Sequence, residues 1–274
     1  MRVLLVDVGN SRVKWAWLSG GRVGPQQAAA NTGWRVEDYA RRVIGRGWLA
    51  ERTRSSRGRA QAAVRGQILV SSVAGSGVRR MLVAAARRMG APAPQFFVSR
   101  RRTAGVVTSY VEPWRLGVDR LVGAIGARHL AAGRAVCVVN VGTAITIDLV
   151  DAAGRHRGGA IIPGPALMVE SLLRSTSGIR RRARGGSRGV QSLFARTTRT
   201  AVSQGARYAS AAVIDRAILE AAKVLGRRPR AFLTGGGSAR VRPVMRIPCV
   251  TVPDLVLVGL AVWAGWAPLR RRVN

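Results

Sequence analysis

Two short stretches place a carboxylate or carboxamide, a glycine and a small hydroxyl at spacings that suit a phosphate group. Val6-Asp7-Val8-Gly9-Asn10-Ser11 is echoed by Val139-Asn140-Val141-Gly142-Thr143-Ala144. In each, an apolar run ends in Asp or Asn, and a glycine turn leads into a returning apolar run. Glycine can serve such a turn by accepting positive φ, or by letting backbone N–H groups approach phosphate oxygens where no Cβ intervenes. A single turn of this kind is ordinary hairpin chemistry. Two in equivalent contexts, with Gly235-Gly236-Gly237 closing a third apolar run, point to phosphate. Lys14 lies just past the first turn, as a mobile charge for a phosphate or as a solvated hairpin residue. Asp7 is suited to meet a phosphate-bound magnesium ion directly or through water, and Thr143 to donate a hydroxyl hydrogen bond.

Between the two turns stands Asp119. Gly117-Val118-Asp119-Arg120 leads into Leu121, Val122, Ile125 and Leu130, which recur near helical spacing. Asp119 therefore falls in the first turn of a helix, where unpaired N–H groups and the helix dipole favour a carboxylate. A carboxylate there can take the proton of an acceptor hydroxyl as its oxygen attacks a terminal phosphate. A helix cap or an ion pair with Arg120 is the structural alternative. Phosphoryl transfer depends on alignment and charge stabilisation more than on acid–base chemistry. A chain with only His129 and His156 can therefore be an enzyme, although a histidine-rich metal centre is excluded.

The elements that must position these residues are legible in outline. Residues 3–6 and 12–18 predict a strand hairpin around the first turn, and 135–139 with 145–150 a second around Gly142. Further strands are expected at 68–70, 96–98, 158–164 and 231–234, and helices at 36–44, 78–89, 202–225 and 256–266. The helix at 202–225 suits either a core or a dimer interface. Residues 51–59 read as a solvated charged stretch, and the arginine-rich run at 174–189 as an exposed loop. The chain divides into lobes at 1–115 and 116–274.

With 274 residues, 47% hydrophobic and 21% charged, the chain can bury a substantial core. Its formal charge of +34 invites a polyanion partner. All 46 basic residues except Lys14 and Lys223 are Arg, however, which equally suits a compositional bias. Cys137 and Cys249 lack metal-ligand spacing and read as buried thiols. No window is long and apolar enough for a membrane span, and the first apolar run is too short for a signal peptide. A cytoplasmic location is the default.

Three segments together resemble the type III pantothenate kinase family, within the acetate and sugar kinase, heat-shock ATPase and actin superfamily. They are Asp7-Val8-Gly9-Asn10-Ser11-Arg12-Val13-Lys14, Tyr110-Val111-Glu112-Pro113-Trp114-Arg115-Leu116-Gly117-Val118-Asp119-Arg120, and Gly142-Thr143-Ala144-Ile145-Thr146-Ile147-Asp148 followed by Gly158 to Gly164. The resemblance spans essentially the whole chain. It implies an α/β, two-lobed ribonuclease H-like or actin-like ATPase fold with duplicated mixed-sheet domains. By the same resemblance, Asp7 through Lys14 and Thr143 bind ATP. Tyr110, Gly117, Val118, Asp119, Arg120 and Thr198 meet pantothenate, with Asp119 as proton acceptor. It also implies magnesium, a potassium or ammonium ion, and a homodimer. The family's usual Asp at a monovalent-cation site is Asn140 here, and its usual Asn before Thr198 is Thr197. Asn140 keeps a carbonyl oxygen but loses the charge, which weakens the attraction for a cation. A nucleic-acid-associated accessory protein that keeps the kinase fold is the competing reading, and an acetate or sugar kinase fits the segment from Tyr110 to Arg120 less well.

Overall fold

The computed structural model describes residues 2–45, 48, 66–183 and 192–267. One sheet contains β1 (Arg2–Val8), β2 (Arg12–Ser19), β3 (Arg22–Val23), β4 (Gln27–Ala30), β5 (Gly66–Ser72) and β6 (Gln95–Phe96). Its order is β3-β2-β1-β5-β6, with β4 also on β2. β1 and β2 form the expected antiparallel hairpin, and β5 runs parallel to β1. A second sheet contains β9 (Val136–Val141), β10 (Ala144–Val150), β11 (His156–Pro163), β12 (Arg230–Thr234) and β13 (Val250–Thr251), in the order β11-β10-β9-β12-β13. Here too a hairpin flanks the leading strand, and the strand on its other side is parallel. The two sheets thus repeat one plan, and the two glycine turns occupy the same place in it. A small hairpin, β7 (Arg102–Thr103) with β8 (Val106–Val107), lies between them in the chain.

β1 is apolar without alternation because both of its faces are covered, as in parallel sheets. Leu4, Val6 and Val8 join a buried cluster with Tyr39, Ile44 and Leu82. These three come from the helical segment α1 (Val36–Asp38), which widens into a π-helical turn over Tyr39–Ile44, and from α2 (Ser76–Arg88). Val3 and Leu5 are also fully buried. The helices α3 (Val118–Leu130) and α8 (Leu255–Trp263) complete this unit and pack closely on one another. Their contact runs through Gly126 and Gly259. A Cβ on Gly126 would lie 3.0 Å from the Gly259 nitrogen, and one on Gly259 would overlap the Val122 carbonyl.

That helix pair moves the domain boundary. One compact unit runs to Leu130 and resumes at Asp254, while Ala131–Pro253 forms the other. The expected division at 115/116 is therefore displaced. α3 buries Leu121, Val122, Ala124, Ile125 and Ala127 and belongs with the first sheet, and α8 returns to it.

In the second unit, α6 (Thr198–Leu225) packs Ile214 and Ile218 onto Val139, Val141 and Ile145. Its start is fixed by the Thr197 hydroxyl, which accepts from the Thr200 N–H, and its end by Gly226 at φ 67°. The arginine-rich run is corrected as well. α4 (Pro165–Ser175) extends into it and α5 (Ser177–Arg182) follows, because arginine is a good helix former. The remainder, 184–189, lies outside the described residues, as does the stretch at 51–59. The strand expected at 96–98 is shorter, at Gln95–Phe96, and the following Phe97 packs edge-on against Trp263 at 5.2 Å. α7 (Ser238–Val241) caps the glycine-rich turn. Cys137 is buried and Cys249 half-buried, both as free thiols, and burial pushes Cys137 up to about 12. Among the described residues no helix is long and apolar enough to cross a membrane.

Candidate active site

The hairpin register sets Asp7 directly across from Lys14 on β2, and from Ser71 on β5. Gly9 N–H closes the turn onto the Arg12 carbonyl at 2.9 Å. Neither Gly9 nor Gly142 has positive φ, so these turns use glycine only for its missing side chain. A Cβ on Gly9 would stand 3.2 Å from the Arg12 carbonyl oxygen. Val8 and Val13 are fully buried in the core, so only their backbone groups are available to a ligand. Asn10, Ser11 and Arg12 are exposed.

Asp7 is only 8% exposed, and its pKa is raised from 3.8 to about 6. Burial is the main cause, and the Asp119 charge adds to it; Lys14 and the Ser71 hydroxyl pull the other way. The two carboxylates singled out in the sequence therefore share one electrostatic neighbourhood. A carboxyl whose folded pKa lies above its unfolded value binds its proton more tightly in the native state. Its contribution to stability is complete below the unfolded pKa, is lost as pH rises through about 6, and stays lost above. Asp7→Asn is expected to stabilise the ligand-free protein by on the order of 2 kcal/mol near pH 8, and to add little near pH 4. Urea unfolding at both pH values checks this; an equal effect at each would contradict it.

Asp119 occupies the first turn of α3, where the Arg120 and Leu121 N–H groups both bond back to the Gly117 carbonyl. A Cβ on Gly117 would come within 2.9 Å of the Asp119 carboxylate oxygen, so glycine is what lets the carboxylate fold over the helix start. Arg120 is 6% exposed and donates to the Tyr110 hydroxyl at 2.9 Å, which ties the loop to the helix. Sequence reasoning missed Arg101. Its guanidinium donates to the Tyr110 carbonyl at 2.6 Å and the Val111 carbonyl at 2.8 Å, holding the same loop from the other side. Val111 and Trp114, in contrast, are exposed at 90% and 67%.

The other expected residues belong to the second unit. Asn140 sits across from Thr146 and Thr234, the places that Lys14 and Ser71 hold around Asp7. Gly235, at φ 94°, is where the close approach is real, since a Cβ there would lie 2.5 Å from the Asn140 side-chain oxygen. Thr143 is exposed at the tip of its turn. Its carbonyl accepts from Gly164 N–H at 2.8 Å. Thr198 begins α6. His156, counted at first only as one of two imidazoles, is paired with Asp148 at 2.8 Å, both fully buried. Among the described residues no three His, Cys, Asp or Glu side chains cluster as a metal site.

This arrangement can be compared with known proteins. The sequence pattern of the type III pantothenate kinase family matches residues 3–220. The chain belongs to that family. A type III pantothenate kinase from Nitrosococcus oceani is 35% identical over 263 residues, covering 94% of this chain and 92% of the relative. One from Halorhodospira halophila is 37% identical over 267 residues, at 95% and 97% coverage. Among solved structures, one described as a Baf family transcriptional activator from Campylobacter jejuni aligns at a TM-score of 0.54 with 16% identity, over 94% of each chain. That likeness supports the fold. The expected α/β architecture with duplicated mixed sheets in two units holds, and so does the expectation of a kinase. The family's sequence pattern spans both glycine turns and the Asp119 helix, while the third glycine run, Gly235-Gly236-Gly237, lies beyond it.

Proposed function

We propose that this kinase transfers the terminal phosphate of ATP to the primary hydroxyl of pantothenate. The products are 4′-phosphopantothenate and ADP, the first step of coenzyme A biosynthesis. The observation that carries this reading is Asp119, held over Gly117 at the start of α3 and close enough to Asp7 to raise its pKa, within a chain matched to the family over nearly its whole length. As the hydroxyl oxygen bonds to phosphorus and the bond to the ADP oxygen breaks, the Asp119 carboxylate takes the hydroxyl proton. Lys14 and the N–H groups of the first turn balance phosphate charge. Tyr110, fixed by Arg101 and Arg120, meets pantothenate together with Gly117 and Val118.

Magnesium fits Asp7. Such an ion needs only one or two carboxylates beside the phosphates, and a desolvated carboxylate gains from the cation what burial removed. When bound, it neutralises phosphate charge. Asn140 supplies a carbonyl oxygen to a potassium or ammonium ion, with less attraction than a carboxylate. A cytoplasmic homodimer completes the reading, supported by exposed apolar side chains in the second unit: Ile161 on edge strand β11, Leu172 on α4 and Phe194. The nucleic-acid reading is not favoured, because the family match accounts for both turns and the Asp119 segment.

The test is pantothenate-dependent release of ADP, followed across a potassium titration. ADP formed equally without pantothenate would contradict the proposal. In the same assay, Asn140→Asp is expected to lower the half-activating potassium concentration about tenfold, as a full charge returns beside the ion. No change in potassium dependence would remove Asn140 from that role.

A further inference from the structure

Asn31 follows β4 directly and is 9% exposed. Its backbone N–H donates to the Ser11 carbonyl at 3.2 Å, and its side-chain amide donates to the Gly9 carbonyl at 3.3 Å. A carbonyl can only accept, so the amide nitrogen must face Gly9. Two more carbonyls of the turn are also engaged: Arg12 accepts from Gly9 N–H at 2.9 Å, and Val8 from Val73 N–H at 3.1 Å. The buried Tyr39 phenol interacts with the Asn31 side chain, and the Asn31 carbonyl accepts from Trp34 N–H at 3.2 Å. Asn31 is thus anchored at its backbone and its side chain while it grips two of the four carbonyls.

We propose that Asn31 is a positioning residue for the phosphate turn. By drawing the Gly9 and Ser11 carbonyls into the protein, it leaves the turn to present N–H groups to the ATP phosphates. A carbonyl dipole facing a phosphate repels it, whereas an N–H attracts it, so the orientation of these peptides decides whether the turn binds or rejects an anion. Asn31 needs no contact with the nucleotide to do this. The proposal rests on the reading that the first turn holds ATP phosphates.

The test compares KM for ATP and for pantothenate in the full-length chain and in the variants Asn31→Asp, Asn31→Ala and Lys14→Ala. Asn31→Asp sets a carboxylate oxygen against the Gly9 carbonyl and is expected to raise the ATP KM at least about tenfold. Asn31→Ala loses one hydrogen bond and is expected to raise it about fivefold. Pantothenate KM stays near that of the unsubstituted chain. If Asn31→Asp fails to fold, Asn31→Ala carries the same test. A parallel rise in both KM values, or a fall in melting temperature alone, would show a merely structural role and overturn the proposal. If Lys14→Ala raises the ATP KM and neither Asn31 variant does, the proposal falls and the turn reading stands. If none of the three raises it, the turn reading falls as well.

Discussion

Asp119→Asn is expected to lower kcat for pantothenate phosphorylation about a thousandfold, with both KM values and the melting temperature little changed. The carboxamide has nearly the same shape, so it should still lie over Gly117 at the start of α3. What it lacks is a site for the hydroxyl proton. A loss confined to kcat marks an interaction made only in the transition state, and a cap would not produce it. The alternative left open by the sequence, a capping or ion-paired Asp, predicts a lower melting temperature with kcat largely kept. Steady-state kinetics and thermal unfolding of one variant therefore separate the two. Normal turnover would rule out Asp119 as the proton acceptor.

Gly259→Ala is expected to have the largest effect on stability. Its added methyl overlaps the Val122 carbonyl, which belongs to the backbone of α3 and cannot rotate away. Either α8 slides or α3 moves, and both are buried along most of their length. Overpacking of this kind costs about 3 kcal/mol, enough to lower the melting temperature by several degrees. Because α3 carries Asp119 at its start, turnover should fall with stability. Gly77→Ala is the control, since nothing lies within 4 Å of a Cβ there, and it should leave stability unchanged or slightly raised. Denaturant unfolding of the two variants decides; similar midpoints would mean that the helix contact is looser than the glycine pair indicates.

Both hairpins and α3 were legible in the sequence because each announces itself locally. Apolar runs end in glycine turns, and Leu121, Val122 and Ile125 recur at helical spacing. The repeated turn was legible, and the duplicated mixed sheet around it was reached through the family resemblance. The domain boundary was not legible, because α8 reads as an apolar helix wherever it packs. Its packing on α3 and on strands β1, β2 and β5 assigns it to the first unit. The arginine-rich run was misread for the opposite reason. Charge signals exposure, but α4 and α5 are exposed and helical together.

The site divided along similar lines. Asp7, Lys14 and Asp119 carry functional groups whose chemistry can be named from type and position. Tyr110 and Thr198 were reached only through the family resemblance. Asn31 and Arg101 had no signal at all, since each acts through hydrogen bonds to backbone carbonyls distant in sequence. Glycine was half-read. The turns that suggested positive φ do not use it, whereas Gly235 does, and its close approach to Asn140 links the third glycine run to the second turn.

The most direct test is to incubate the purified chain with ATP, magnesium, potassium and pantothenate, and to identify the product by mass. The expected product is pantothenate heavier by one phosphate group, formed in step with ADP and missing when either substrate is omitted. ATP turnover with pantothenate recovered unchanged would contradict the assignment of pantothenate as the acceptor.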